Sequence, residues 1–325
     1  MKKTYILLVL LLTGSLVSAQ QTQGIVKLRG TRLTYPLVNA WIEAFSKEYP
    51  GIKVSIAPQA PADSIDFTIA AYALTEKDYE GNREGVAIAR YVQLPVANSK
   101  RPDLVAVQAK GLTEKDIQSL YFSPATPDLF GSAQAASPIT RYTREKPACA
   151  AKTFAKHYGN DAATLQGNGV QGDDKDLANA VREDIYGISF NNLGFVYDLN
   201  TRKVADGLAV IPLDLNENGK TDKNENIYSS VDDVIRYIEK TNHARFVTER
   251  VNFIFSKSSP NAAAGIFLNW VLAKGQRFNH TLGFLELENK TLAEQKVIAA
   301  SAFKISAIAP RNQNESTQKT QVASN

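Results

Sequence analysis

The sequence predicts an α/β fold large enough for two lobes. Three observations carry this. Short apolar runs of strand character alternate with amphipathic helical stretches along most of the chain. A length of 325 residues, 44% hydrophobic, can bury more than one core. Pro95 interrupts a long extended run from Val86 to Val96. Proline cannot donate a ladder hydrogen bond, so that run suits a sheet edge or a crossing between lobes better than a central strand.

Gly24 to Leu28 predicts a first strand. The next residues, Arg29 to Pro36, make a turn. Leu37, Val38, Trp41, Ile42 and Phe45 then fall at helical spacing on one stripe. Strand, tight turn and helix can aim backbone N–H groups at an anion. Thr31 and Thr34 offer hydroxyls and Arg29 or Arg32 a guanidinium. An ordinary βα turn with a proline near the helix start accounts for the same residues.

Ile52 to Ile56 alternates as a strand after Pro50-Gly51, and Asp66 to Tyr72 is apolar enough for a buried one. Thr75 and Thr113 each stand three residues before an aspartate, which predicts capped helix starts. Residues 123–136 are rich in Ser, Pro, Ala and Gly and predict a surface loop. Ile139 to Tyr142 predicts a strand, Ala148 to Tyr158 a helix ended by Gly159, and Leu177 to Asp184 another helix. Tyr186–Phe190 and Gly194–Tyr197 have strand character, joined by Asn191-Asn192. A helix over Val231–Glu239 leads to a strand at Val251–Phe255 that returns the chain to the first lobe. Ser259-Pro260 predicts a cap for the helix ending at Gly275, and a last helix covers Leu292–Phe303. Residues 311–325 have almost nothing to bury and predict disorder.

Met1-Lys2-Lys3, the apolar run Tyr5–Leu12 and Val17-Ser18-Ala19 have the three parts of a secretory signal peptide, cut after Ala19. The apolar run is too short to span a membrane. Cys149 is the single cysteine, so an intramolecular disulfide is excluded. No cysteine stands at the cut for lipid attachment, and a soluble periplasmic protein is expected. The formal charge is +4, two units of it from Lys2 and Lys3. A weak balance without a basic, aromatic-studded patch gives no basis for nucleic-acid binding.

Residues 214–225 fit the EF-hand calcium loop. Asp214, Asn216, Asn218 and Asp222 place side-chain oxygens at loop positions 1, 3, 5 and 9. Gly219 makes the sharp turn, Lys220 supplies a carbonyl and Glu225 a bidentate carboxylate. Thr221 replaces the usual aliphatic residue, and Pro212 precludes a normal entering helix. A single structural Ca2+ clamp on an insertion near 212–226 is the expectation. A polar turn without an ion fits the same composition.

Nothing predicts catalysis. Cys149 and His157 lie two helical turns apart, too far for contact. Asp173-Asp174 and Asp232-Asp233 read as solvated charges, and the histidines are scattered.

Several pieces occur in a telling order: Gly30-Thr31 before Tyr35-Pro36-Leu37 and Trp41; Ile65-Asp66-Phe67 before Leu74–Lys77; Leu112-Thr113 before Ile117. Ile139-Thr140-Arg141 precedes Phe154 and Tyr158, and Tyr186–Phe190 follows. Over most of residues 24–303 this order resembles the periplasmic phosphate-binding proteins that feed ABC transporters. The resemblance implies a type II periplasmic binding protein with a ligand cleft between two lobes. Residues 24–97 and 248–305 would form lobe 1 and residues 98–247 lobe 2. It implies a monomer that is not an enzyme and that hands phosphate or a similar oxyanion to an inner-membrane permease. Ligand candidates are Gly30, Thr31 and Arg32 in lobe 1 and Arg141, Thr143 and Arg144 in lobe 2. The chain departs from the family at two places that hold phosphate. Ala71 stands where the family has an aspartate, and Tyr142–Lys152 replaces its Asp and Ser-Gly-Thr run. Arg144, Lys146 and Lys152 offer compensating charge. Three outcomes stay open: phosphate held by another set, another anion, or a cleft without a ligand. The last would make this a non-transport sensing or interaction protein of the cell envelope.

Overall fold

The computed structural model describes residues 23–125, 138–146, 148–258 and 260–304. The leader through Ala19, residues 126–136 of the 123–136 loop, Ser259 and the tail from Arg311 lie outside them. The described strands are β1 (Gly24–Gly30), β2 (Ile52–Ile56), β3 (Phe67–Ala70), β4 (Arg83–Asn98), β5 (Thr140–Arg144), β6 (Asn168–Val170), β7 (Gly187–Asn192), β8 (Leu208–Val210) and β9 (Val247–Ser256). The helices are α1 (Tyr35–Glu48), α2 (Glu76–Tyr79), α3 (Leu104–Lys110), α4 (Glu114–Phe122), α5 (Cys149–His157), α6 (Asp174–Glu183), α7 (Leu193–Val196), α8 (Val231–Thr241), α9 (Ala262–Ala273) and α10 (Asn289–Phe303).

The strands pair in the order β2-β1-β3-β9-β4-β7-β5-β6, with β8 also on β4. β1 is parallel to both its neighbours, as βα crossovers require, whereas β9 runs antiparallel to β3 and β4. β4 joins the halves. Its first part pairs with β9 from Arg83 to Gln93, and its last part pairs with β7 from Gln93 to Ala97. Pro95 falls in that last part, beyond the end of the β9 ladder, where its carbonyl accepts from Ile211 N at 3.0 Å.

Two cores flank this junction. One packs α1, α9 and α10 on the β1–β3–β9 side. Trp41, Phe45, Phe67, Phe253 and Phe267 are its large side chains, and Phe67 stacks on Phe253 at 4.8 Å. Trp41 stays satisfied by donating from Nε1 to Gly275 O at 2.8 Å. The other core centres on Phe154, stacked on Phe190 at 3.7 Å, with Tyr121 edge-on to both. Along β4 the first core ends at Tyr91 and the second begins at Val92.

Three local expectations are corrected. Gly194 to Tyr197 is not a strand: the chain turns into α7 directly after β7, with Asn192 at the N-cap. The polar stretch before Leu177 holds β6 and three more residues of α6, which opens at a capping box of Asp173 and Asp176. The cap of α9 is Asn261, whose Oδ1 accepts from Ala263 N at 3.0 Å.

Candidate functional site

The turn after β1 is built by one glycine. Gly30 has φ +150°, and a Cβ there would lie 2.2 Å from Ile69 O. Its absence lets Thr31 N donate to that carbonyl at 3.2 Å. The Thr34 hydroxyl donates to Thr31 O at 2.8 Å and fixes the 3-10 turn that leads into α1. Thr31 and Arg32 are thereby held at the C-terminal end of β1, facing lobe 2. In α/β sheets this end is where ligands bind.

Lobe 2 answers from three segments. β5 ends at Arg144, α5 begins at Cys149 with no side chain capping its first turn, and the loop from β6 leads to Asp174. With Gly30, Thr31, Arg32 and Ile69 they enclose a cleft of about 630 Å3. Arg32 reaches across it to Asp173, N to O 3.6 Å. One Nη of Arg144 donates to Gly172 O, while Arg144 Nε is buried without a hydrogen-bond partner. Lys146, Lys152 and the half-buried Cys149 also line the cleft. The wall thus offers backbone donors, guanidinium groups and ammonium groups, the chemistry of an oxyanion site.

Asp174 sits among them. Although it follows Asp173, it is only 8% exposed, not the solvated charge the sequence suggested. Burial pushes its carboxyl up to about 6, with the Arg144 charge opposing and Asp173 assisting.

Gly30, Thr31, Arg32 and Arg144 therefore come together, and Arg141 and Thr143 do not join them. Arg141 donates to Leu120 O at 3.2 Å, Ser123 O at 2.8 Å and Pro124 O at 3.3 Å, closing the C-terminal end of α4. Burial lowers its pKa. Thr143 is buried. Successive strand residues face opposite ways, so Arg141 and Arg144 diverge. Behind the cleft, Ala71 is buried and its carbonyl accepts from Tyr91 OH at 2.8 Å and Thr153 Oγ1 at 3.3 Å. Thr153 belongs to α5, so this contact ties the lobes. Sequence reasoning missed Asp174. The available signal was the Asp173-x-x-Asp176 box, which makes Asp174 the first helical residue.

The loop from Asp214 to Glu225 is a separate structure. Asp214 accepts from Asn218 N at 3.2 Å and Gly219 N at 2.8 Å. Glu225 accepts from Leu215 N at 3.0 Å, Asn216 N at 3.2 Å and Asp222 N at 2.8 Å. Asp222 accepts from the amides of Asn216 and Asn218, and Lys220 Nζ lies 3.1 Å from it. Thr221 donates from Oγ1 to Gln108 O and from N to Ala109 O, both at 2.7 Å, so position 8 fastens the loop to α3. Among the described residues no three His, Cys, Asp or Glu side chains gather as a metal-holding group. The loop depends on Asn216, Asn218 and the Lys220 carbonyl for the rest of any oxygen set.

No family profile and no curated protein sequence matches the chain. Solved structures do. A phosphate ABC transporter substrate-binding protein with bound phosphate from Clostridium perfringens superposes with TM-score 0.63 at 15% identity, covering 81% of this chain and 100% of that one. An ABC-type phosphate transport receptor from Vibrio cholerae gives TM-score 0.56 at 12% identity, with 81% and 100% covered. A high-affinity periplasmic phosphate-binding protein, solved with phosphate at pH 8.5, gives 0.58 at 10%, with 84% and 93% covered. The fold is that of the type II periplasmic binding proteins. Among the described residues no helix is long and apolar enough to cross a membrane.

Proposed function

We propose that this chain is an exported periplasmic solute-binding protein for a small oxyanion of the phosphate type, delivering it to an ABC permease as a monomer without catalysing a reaction. The observation that carries this is the convergence on one interlobe cleft of the Gly30–Thr31–Arg32 turn, the uncapped start of α5 and Arg144 with its unpartnered Nε. The phosphate-binding neighbours support the same assignment. A bound anion would touch both lobes and favour their closed arrangement, which a permease can read. Titration calorimetry of the mature chain with inorganic phosphate tests the proposal. Saturable one-site binding is expected. It should be lost in Arg144→Ala and kept in Arg141→Ala, because Arg141 serves α4. No heat with phosphate or any other oxyanion would overturn it.

The alternative, an envelope sensing or interaction protein with a degenerate cleft, draws on Ala71 and Ala150. Both are buried where the resemblance expects phosphate-holding residues. Absence of anion binding would favour it.

We also propose that the 214–225 loop binds one structural Ca2+. Asp214 and Glu225 are each 1% exposed and neither forms an ion pair among the described residues, so two buried negative charges lack a cation. Asp214, Asn216, Asn218, Lys220 O, Asp222 and Glu225 would hold the ion and stiffen the insertion against α3. Millimolar calcium should raise the thermal midpoint relative to chelator, and Glu225→Gln should abolish the difference. Equal midpoints in wild type would remove calcium from the account.

A further inference from the structure

Residues 279–288 bridge the two cores beside the junction. Phe284 and Leu287 are buried in the first core and Leu285 in the second. Leu285 N donates to Arg90 O at 2.8 Å, and Arg90 N donates to Leu285 O at 3.0 Å. This bridge lies just before Gln93, where β4 takes β7 as its partner. The segment is thus anchored to the strand that joins the lobes.

Lobe 2 grips the same segment by side chains. Arg202 donates to His280 O at 2.8 Å and Thr281 O at 3.0 Å. Asp232, in the first turn of α8, holds that guanidinium at 2.5 Å. Near the end of α8, Glu239 Oε1 lies 2.9 Å from His280 Nε2 and accepts from Glu286 N at 2.8 Å. Arg90 completes the group. It pairs with Glu288 at 2.7 Å and donates to Asn242 Oδ1, at the C-cap of α8, at 3.4 Å. These contacts coexist with a closed cleft, in which Ala71 O meets Thr153 and Arg32 reaches Asp173.

One member of this group can change its charge near neutral pH. His280 is faced by Glu239 and Asp232 from α8 and by Glu286 from its own segment. The bond to Glu239 raises the imidazole pKa above its ordinary 6.5, against half-burial, and Glu286 and Asp232 assist. Burial opposes ionisation of Glu239, yet His280, the Glu286 N–H and the Arg90 charge keep its carboxyl below the ordinary 4.5. The ion pair is therefore complete below pH 6.5 and is lost as pH climbs through the raised value of His280. A neutral imidazole can still donate from Nε2, but an uncharged bond is about half as strong.

We propose that residues 280–288 and α8 form a clasp between the lobes whose hold is set by the charge on His280, so that rising pH loosens the closed arrangement. The consequence for ligand rests on the oxyanion-binding reading, and the clasp itself does not. A clasp that favours the closed lobes adds to the affinity of whatever the closed cleft holds.

Small-angle scattering of the mature chain without ligand, at pH 5.5 and pH 9, tests the clasp. The wild type should have the larger radius of gyration at pH 9. His280→Gln, which keeps a donor and loses the charge, should show the larger radius at both pH values, with an unchanged circular-dichroism spectrum. Equal wild-type radii would overturn the proposal. A pH response that survives in His280→Gln would assign it to another group and overturn the role of His280. Calorimetry with inorganic phosphate then tests the link to binding. At pH 5.5 His280→Gln should bind about fivefold more weakly than wild type, and at pH 9 the two should agree. Equal affinities at pH 5.5 would overturn the link. A pH-dependent radius without phosphate binding would leave the clasp standing and overturn the phosphate reading.

Discussion

Asp174 makes folding stability depend on pH in a predictable direction. Its carboxyl rises from 3.8 to about 6 in the folded protein, because burial penalises the ionised form. A raised folded pKa means the stabilising contribution is complete below pH 4 and lost as pH climbs through 6. Ionisation thus costs up to about 3 kcal/mol by pH 8. Asp174→Asn is expected to be more stable than wild type at pH 8, by about 1–3 kcal/mol, and equal to it at pH 3.5. Urea unfolding at the two pH values checks this. The site was partly legible at this scale. Gly30 and Thr31 announced themselves because only a glycine permits the close approach to Ile69. Arg141 and Arg144 could not be separated, because strand alternation distinguishes them only once the register of β5 is known. Asp173 and Asp174 look alike in sequence, and the first turn of α6 turns one of them inward.

At the scale of elements, chemistry that acts within a few residues was readable. The Thr113–Asp116 capping box starts α4 where the sequence says it should, with Asp116 N donating to Thr113 Oγ1 at 3.1 Å. Thr113→Ala should cost about 1 kcal/mol, seen as a lower urea midpoint with an unchanged slope. Elements defined by distant partners were not readable. β6 and β8 have three residues each, too few for a period, and exist because β5 and β4 offer them edges. Gly194–Tyr197 has strand composition, yet the turn after Asn192 overrides propensity. The 214–225 loop shows both cases. The spacing of its oxygen side chains is local and legible, but the attachment of Thr221 to α3 is tertiary and gives the threonine at that position a role of its own.

For the whole molecule, strand–helix alternation was sufficient to predict the α/β class, and Pro95 marked the neighbourhood of the junction. The cleft was not legible, because it is assembled from turns more than a hundred residues apart whose side chains meet only after both lobes form. The junction has a further effect. β4 is buried without a break from Val86 to Asn98 and is hydrogen-bonded to β9 in one half and β7 in the other. The lobes are therefore two ends of one sheet. Neither end can open fully without breaking a ladder that the other uses. Native-state hydrogen exchange should find its slowest amides in residues 86–97 of β4 and in β9, protected by the global unfolding free energy. Scanning calorimetry should show one transition. Two transitions, or fast exchange at Val92 and Leu94, would mean that the sheet parts at its middle and that each lobe keeps its own stability.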